Sequence, residues 1–295
     1  MESKVISVQS SIQDYLCQLV TQCKAKFRPV FFDVLRMQNP ASLELVRSIK
    51  YFIMSFSVYT SSNPENVGKS VQEFYKNAEN SIRDHKLWAD QEVDSAMEGL
   101  ERYVMTKLFS QTFSSPEDTM IDLEISQKMH LLQTFLKPEH LDIPEVLCNE
   151  ASFYLATKEL QKIKAFKAPR QKLLCMMNCC KVINSLLLST ASKSQTRVLA
   201  GADEFLPVLI YVVIKANPPQ LHSNLKYIKL YRREAKLVSE AAYYLTHFLS
   251  AKTFISELNA KSLSIDEVEF EESMQTARLD NKPQNFFLKE LATLV

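Results

Sequence analysis

The amino-acid sequence predicts an all-α protein, and two observations carry that prediction. Only three of the 295 residues are glycine, and the Asn-Gly, Asp-Gly and Gly-Gly pairs that close tight β-hairpins do not occur. Apolar residues recur instead at intervals of three and four along most of the chain, which is the spacing of one face of an α-helix. We therefore expect a succession of helices rather than a sheet.

Composition narrows the class of protein further. Apolar residues make up 46% of the chain, enough for a full hydrophobic core, and the net charge is +1. A nearly neutral chain is a poor electrostatic partner for nucleic acid, so we expect no nucleic-acid binding. No run approaches the ~20 apolar residues that span a bilayer, and the N-terminus lacks a basic segment followed by an apolar run. We expect no transmembrane segment, no signal peptide and, at most, peripheral membrane contact.

The six cysteines predict a reduced, cytosolic environment. None forms a Cys-x-x-Cys pair, and no histidine stands at the spacing of a zinc site. Cys175, Cys179 and Cys180 fall within an apolar segment of helical character. Unpaired cysteine is among the most buried residue types, so we expect buried thiols rather than disulfides or a metal site.

Four regions can be delimited along the chain. Residues 1–27 predict an amphipathic helix that docks on the rest of the protein, binds a partner helix or lies on a membrane; its polar face is not strongly basic, which favours the first two. Residues 28–118 carry three further apolar stripes and predict a helical bundle, with Trp88 as a core anchor. A Ser-Ser-Pro-Glu-Asp turn signal ends the bundle, residues 119–272 form a second domain, and 273–295 form a tail. The stripes are Leu43, Val46, Ile49, Ile53 and Phe56; Val71, Phe74, Ala78 and Ile82; and Val93, Met97, Leu100, Val104 and Leu108.

The second domain contains the longest apolar run of the chain, residues 208–214. Taken alone, these mostly β-branched residues fit a buried strand as well as a buried helix. The helical spacing of the neighbouring segments favours the helix. The preceding segment 172–188 is apolar nearly all round, so we expect a central helix there.

The residues that flank the apolar run place the ends of its helix. A proline in a first helical turn costs little, because its missing N–H has no partner there, so we expect Pro207 in the first turn. Asp203 or Glu204 then lies at or near the N-cap, where a carboxylate suits the helix dipole. Gly201 precedes them, and Asn-Pro-Pro at 217–219 ends the helix. The stretch predicts a buried helix that displays an acidic residue at its start.

Other residues suggest alternative chemistry. His222 and His247 could pair with Asp203 as a hydrolytic base, but no Gly-x-Ser-x-Gly, His-Glu-x-x-His or glycine-rich phosphate-binding motif is present. An all-helical chain without such motifs is typical of an interaction module rather than a conventional enzyme. A basic, tyrosine-containing stretch could grip single-stranded nucleic acid or phosphoinositides, although the neutral chain favours a solvated face. Its residues are Lys226, Tyr227, Lys229, Tyr231, Arg232, Arg233 and Lys236.

Four blocks of the second domain form a recognisable set. They are Gly-Ala-Asp-Glu-Phe-Leu-Pro-Val-Leu-Ile-Tyr at 201–211, Lys-Ala-Asn-Pro-Pro at 215–219, Ser-Asn-Leu at 223–225 and Glu-Ala-Ala-Tyr-Tyr-Leu-Thr at 240–246. Together they resemble the signature of the vacuolar-protein-sorting-nine domain, a family of guanine-nucleotide exchange factors for early-endosomal Rab GTPases. Lys-Ala-Pro-Arg at 167–170 and Asn-Cys-Cys-Lys-Val-Ile-Asn at 178–184 extend the match upstream. Leu-Trp at 87–88 and Tyr-Val-Met-Thr-Lys-Leu-Phe at 103–109 resemble the bundle that precedes this domain, with the greatest similarity to plant members.

The resemblance implies an all-helical, layered exchange domain buttressed by the N-terminal bundle. It implies an acidic finger at Asp203, a groove-lining proline at Pro207, and contacts from Tyr243 and Thr246 to the switch regions of an early-endosomal Rab GTPase. The finger would displace Mg²⁺ and weaken the binding of GDP, with no covalent chemistry, no metal site and no cofactor of its own. The resemblance also implies a cytosolic protein recruited peripherally to endosomes. The alternative is a helical adaptor that binds a Rab without accelerating exchange.

Overall fold

The computed structural model confirms the all-α prediction. It describes residues 40–56, 63–84, 90–191 and 202–280, in which the chain forms ten α-helices and no strand. The predicted helix of residues 1–27, Trp88 and Gly201 lie outside the described residues. The helices are α1 (Pro40–Ser55), α2 (Pro64–Arg83), α3 (Asp90–Thr112), α4 (Pro116–Phe135), α5 (Glu150–Gln161), α6 (Pro169–Ala191), α7 (Ala202–Ala216), α8 (Leu221–Tyr231), α9 (Ser239–Glu257) and α10 (Glu267–Asp280).

The chain divides into two compact units, and the first contains α1, α2 and α3 together with Leu230–Glu234. Its three helices pack on one another. Ile49 on α1 is buried as predicted, and so is Phe56 directly after the helix. Leu45 is buried in place of Val46, and Ile53 is only half-buried. The predicted stripes of α2 and α3 are confirmed as core. Their buried members are Val71, Phe74, Ala78, Ile82, Val93, Met97, Leu100, Val104 and Leu108.

Within this first unit, Leu230–Glu234 is bound to α2 and α3 by buried polar contacts. Gln72 Nε2 donates to two backbone carbonyls of the segment, at 3.0 and 2.9 Å. The Arg232 guanidinium donates to Glu98 at 2.9 and 2.7 Å and to Glu101 at 2.6 Å. Burial raises the pKa of Glu101 in spite of the adjacent guanidinium. The ion pairs therefore compensate charges that the fold has already removed from water.

The expectation of a solvated basic face is wrong for the end of this stretch. Arg232 and Arg233 are only 5% and 3% exposed, and both form ion pairs with glutamates of the bundle. Tyr227 and Tyr231 are buried as well. Net charge could not reveal this, because a sum over the chain does not show which charges are paired inside it.

We expect Arg232→Met to destabilise the first unit by about 3–5 kcal/mol, because Glu98 and Glu101 would keep their burial and lose their cation. Lys229→Met, an exposed lysine three residues earlier, is the matched control and should change stability little. Urea unfolding of both variants measures the difference. Equal midpoints would show that the Arg232 ion pairs do not hold the segment.

The second unit is built around α6 and α7. Helix α7 packs against α4, α5, α6 and α9, and α6 packs against α5, α7 and α9. The predicted central position of residues 172–188 is therefore confirmed. By length and composition alone, the 22 residues Pro169–Thr190 could also cross a membrane, the one helix in the described part of the chain that passes this test. The expectation that no segment reaches that length is wrong for α6, whose packing is that of a core helix.

The apolar run 208–214 lies in α7 and not in a strand, as the helical neighbours predicted. Asp203 lies near the N-cap as expected, but the expectation that Pro207 lies in the first turn is wrong. Helix α7 begins at Ala202, so Asp203 is its second residue, and Pro207 lies in the second turn inside the helix. Proline at this position removes the N–H that would bond to the carbonyl of Asp203. The fully or nearly fully buried residues that follow it are Val208, Leu209, Ile210, Val212, Val213 and Ile214.

Three of the four described cysteines are buried free thiols, as predicted. They are Cys175, Cys179 and Cys180 on α6, and burial raises the pKa of Cys175 to about 12. Cys148 differs, because it is exposed.

Candidate functional site

The C-terminal end of α7 is fixed by side chains from α4 and α5. Gln133 Nε2 donates to the carbonyls of Ile214 and Lys215 at 2.9 and 3.0 Å, and Gln161 Nε2 donates to the carbonyl of Ala216 at 3.0 Å. Carbonyls of a last helical turn have no helical partner and need such donors when buried. Two neighbouring helices thus supply the cap that the chain itself does not.

Asn217 completes this cap. Its φ of 37° is left-handed, a conformation that asparagine tolerates better than most residues, and its N–H donates to the carbonyl of Val213 at 3.0 Å. Its side chain bonds twice to Ser126 on α4, accepting from the hydroxyl at 3.1 Å and donating to the carbonyl at 3.2 Å. The two prolines that follow cannot continue the helix, so the chain turns away at a fixed point.

The start of α8 is fixed in a similar way. Asp122 on α4 accepts from the backbone N–H groups of His222 and Ser223 at 2.7 and 3.3 Å. Asn224 donates to two carbonyls of the preceding turn at 2.9 Å each, and accepts from the buried ammonium of Lys172 at 2.7 Å. Burial lowers the pKa of Lys172 to about 8. The Asn-Pro-Pro and Ser-Asn-Leu blocks therefore fix the turn between α7 and α8.

Asp118 links α4 to α8 through an ion pair with Lys226. It accepts from Lys226 Nζ at 2.7 and 2.9 Å and lies 3.1 Å from His222 Nε2, and it forms a capping box with Ser115. Burial raises the pKa of this carboxyl, but the hydrogen bonds from Lys226, Ser115 and His222 outweigh burial and lower it to about 2. The carboxylate form is therefore the one that stabilises the fold.

We expect Asp118→Asn to lower the free energy of unfolding by about 2 kcal/mol at pH 7, since the pKa falls from 3.8 to about 2 on folding. A depressed folded pKa contributes stability in full above about pH 4, and that contribution disappears as the pH falls towards 2. The stability curves of the wild type and the variant should therefore approach each other below about pH 4 and converge near pH 2. Glu117→Gln, an exposed neighbour, is the control. A difference between Asp118→Asn and wild type that does not change with pH would contradict this account.

At its N-terminal end, α7 meets α9 through aromatic rings. Phe205 is 2% exposed, and its ring centroid lies 6.4 Å from Tyr243, 6.2 Å from Tyr244 and 5.2 Å from His247. The rings of Tyr243 and His247 are 4.1 Å apart. We refer to Phe205, Tyr243 and His247 as the aromatic cluster. It links the first turn of α7 to the surface of α9.

The four residues that the resemblance assigns to the site lie on these two helices. The backbone of Asp203 belongs to the first turn of α7, and its side chain lies outside the described residues. Pro207 follows four residues later, inside the same helix. Tyr243 is 46% exposed, and Thr246, also exposed, donates its hydroxyl to the carbonyl of Ala242 at 2.9 Å. The structure brings the start of α7 beside Tyr243, and the roles of the four residues stay predictions.

Glu204, the neighbour of Asp203, has an enclosed carboxylate oxygen. Its Oε2 is buried and has no hydrogen-bond partner. An oxygen enclosed within the protein cannot enter the nucleotide site of another protein without a rearrangement. At least one of the two carboxylate oxygens of Glu204 is therefore turned into the protein.

The hypothesis of a hydrolytic base does not fit the structure for His222. That residue lies at the start of α8, beyond the far end of α7, and contacts Asp118 rather than Asp203. His247 does lie near the start of α7, but its Nδ1 bonds to the carbonyl of Tyr243 at 2.9 Å. Sequence reasoning missed Phe205 and His247 as members of one cluster. For the two members on α9, the sequence did carry a signal, because Tyr243 and His247 are four residues apart and so share one face of the helix.

A separate cavity of about 440 Å³ lies at the other end of α7, between α4, α7 and α10. Its two lysines already have partners, because Lys137 is 3.4 Å from Glu139 and Lys215 donates to the carbonyl of Gln133 at 3.0 Å. Among the described residues, no group of three or more His, Cys, Asp or Glu is placed to hold a metal ion. The end of α7 that carries Asp203 is therefore the better candidate site.

Comparisons with known proteins identify the family to which the second unit is similar. Residues 153–260 match the family model described as the vacuolar sorting protein 9 (VPS9) domain, and residues 47–109 match a domain of unknown function, DUF5601. The chain is 56% identical to vacuolar protein sorting-associated protein 9A of Arabidopsis thaliana over 247 residues, which are 82% of this chain and 47% of that protein. It is 29% identical to the human Rab5 GDP/GTP exchange factor over 252 residues, 83% of this chain and 50% of that protein.

The chain therefore belongs to the VPS9 domain family, and the predicted similarity to plant members is confirmed. It spans about half the length of the Arabidopsis and human proteins named above. The matched VPS9 region contains α6, α7, α8 and α9, and hence the aromatic cluster.

Proposed function

We propose that this chain is a guanine-nucleotide exchange factor that activates a Rab5-type GTPase of the early endosome, with Asp203 as an acidic finger. The observation that carries the proposal is the position of Phe205, which places the first turn of α7 against the half-exposed Tyr243 on α9. Asp203 precedes Phe205 by two residues, so the proposed acid belongs to the same helical turn that packs against this exposed aromatic ring. The names of the relatives supply the GTPase class.

A GTPase retains its nucleotide through a phosphate-binding loop, a lysine and Mg²⁺. Dissociation constants in the nanomolar to picomolar range correspond to roughly 12–16 kcal/mol, so spontaneous release is slow. A carboxylate inserted into that site would occupy the position of Mg²⁺, pair with the lysine and repel the β-phosphate. Each ~1.4 kcal/mol removed from the release barrier accelerates release tenfold. The GDP and Mg²⁺ belong to the partner, and the exchange factor would need no cofactor of its own.

The aspartate side chain is short, so its backbone must approach the nucleotide site closely. The start of α7 suits this approach, because it is the end of a helix whose other end is capped inside the protein. Pro207 and the Tyr243–Thr246 face of α9 would hold the switch region away from the nucleotide. In a cell this activity would place a cytosolic protein at the endosome surface through its partner.

An adaptor that binds the Rab without accelerating exchange is the second candidate. A bound adaptor has no need of an acid at the start of α7, so the carboxylate of Asp203 favours exchange. Release of a fluorescent GDP analogue from Rab5 decides between the two functions. Binding without acceleration would establish the adaptor.

We expect Asp203→Asn to slow catalysed GDP release by about 10²–10³-fold, because the amide keeps the size of the side chain and loses the charge. Binding to nucleotide-free Rab5 should largely remain. Release of the fluorescent analogue and a binding titration measure the two quantities separately. Exchange at the wild-type rate would refute the acidic finger in this protein.

Glu204→Gln is the matched control for that variant, since the two carboxylates are adjacent in sequence. Because Glu204 Oε2 is enclosed and has no hydrogen-bond partner, its substitution should leave exchange within a few-fold of wild type. A larger loss from Glu204→Gln than from Asp203→Asn would move the finger one residue along the chain.

We expect Tyr243→Ala to weaken affinity for nucleotide-free Rab5 by about 2 kcal/mol or more, close to thirtyfold, because aromatic anchors dominate interfaces. Thermal melting should change little, since the ring is 46% exposed. Tyr154→Ala removes a 64% exposed tyrosine from α5 and is the control. Unchanged affinity would place Tyr243 outside the interface.

A further inference from the structure

We propose that His247 is a positioning residue for the GTPase-binding surface. It holds the ring of Tyr243 in the orientation that contacts the partner. The inference rests on the proposed function and adds a residue that the matched motif blocks do not contain. Those blocks end at Thr246.

The first step is the geometry on α9. Tyr243 and His247 are four residues apart, so their side chains share one face of the helix. A helical side chain leans towards the N-terminus of its helix, which brings the later residue over the earlier one. The ring centroids are 4.1 Å apart and the planes meet at 49°. His247 therefore packs directly against the ring that the partner is expected to contact.

The second step is that His247 is itself held on two sides. Its Nδ1–H donates to the carbonyl of Tyr243 at 2.9 Å, which fixes the direction of the ring. Phe205 meets the same imidazole almost edge to face, at 5.2 Å and 83°. Phe205 is 2% exposed and belongs to the core of the second unit. The imidazole thus connects a fixed ring on α7 to an exposed ring on α9.

The third step concerns what this connection does. An exposed tyrosine loses conformational freedom when a partner binds, and that loss weakens binding unless the side chain is already ordered. Packing against His247 orders the Tyr243 ring before the GTPase arrives. His247 would therefore contribute to affinity through Tyr243, while the rate of release from the bound complex would depend on Asp203.

The functional test uses His247→Ala in the full chain. We expect the dissociation constant for nucleotide-free Rab5 to rise about five- to tenfold, with the maximal rate of GDP release at saturating protein unchanged. His247→Phe keeps a ring in place and should restore most of the affinity. His130→Ala, an exposed histidine on α4, is the matched control and should bind as the wild type does.

A double-mutant cycle separates positioning from an independent contact. In a Tyr243→Ala background, His247→Ala should have no further effect on affinity, because the ring that it positions is gone. An equal loss of affinity in both backgrounds would overturn the inference. A fall in the maximal release rate at unchanged affinity would overturn it as well.

A spectroscopic test needs no GTPase and keeps the inference distinct from the proposed function. Tyrosine ring signals are recorded by NMR on the free protein, with Tyr243→Phe used to assign Tyr243. We expect His247→Ala to shift the Tyr243 signals and leave those of Tyr154 in place. Unshifted Tyr243 signals would refute the positioning role. Failure of the wild type to bind any Rab, with the shift present, would instead reject the proposed function and leave the ring contact standing.

Discussion

The arrangement of the second unit depends on how α7 is anchored at its C-terminal end. Three of its last carbonyls accept hydrogen bonds from Gln133 and Gln161, and Asn217 bonds on both sides to Ser126. Buried carbonyls without such partners would each cost about 1–3 kcal/mol, so these side chains fix where the helix ends as well as stabilising it. Because this end of the helix is fixed inside the protein, the length of the helix determines where its other end lies.

The length of α7 sets the distance between its anchored C-terminal end and the candidate acidic finger at its start. Ala216 comes thirteen residues after Asp203, which corresponds to about 20 Å of helix at 1.5 Å per residue. The helix between them is apolar and enclosed by four others, so it has little freedom to bend except at Pro207. The proline removes one helical hydrogen bond next to the acid, and the aromatic cluster compensates by holding the first turn through Phe205. Polar contacts thus fix the far end of α7, and aromatic contacts fix the end that is proposed to act.

Much of the fold could be predicted from the sequence, because the spacing of apolar residues along a helix indicates which face is buried. The stripes of α2 and α3, the central place of α6 and the end of α7 at Asn217 all followed from spacing and from proline. The turn that holds Pro207 was misjudged because a proline in the second turn and a proline in the first turn leave the same local pattern in the sequence. Arg232 and Arg233 were misjudged because their partners, Glu98, Glu101 and Glu79, lie more than 130 residues away.

The residues of the candidate site also divide into those predicted from the sequence and those found only in the structure. The resemblance supplied Asp203, Pro207, Tyr243 and Thr246. Phe205 became visible only through its ring contacts with the other helix, and His247 joined the cluster through its contact with Phe205. Such contacts depend on how α7 and α9 pack, and no pattern within either helix specifies that packing. The enclosure of Glu204 Oε2 is likewise a property of the folded unit rather than of the acidic pair in the sequence.

The most direct test of a fixed, presented helix is amide hydrogen exchange across residues 208–216, measured in the free protein and in its complex with nucleotide-free Rab5. If α7 is fixed by its capped end, these amides are protected to the level of the core before the GTPase is added, and binding changes them little. Rapid exchange in the free protein, comparable with that of the largely exposed residues 261–267, followed by protection on binding, would contradict the account. In that case the helix would be ordered by the GTPase and would not be presented to it.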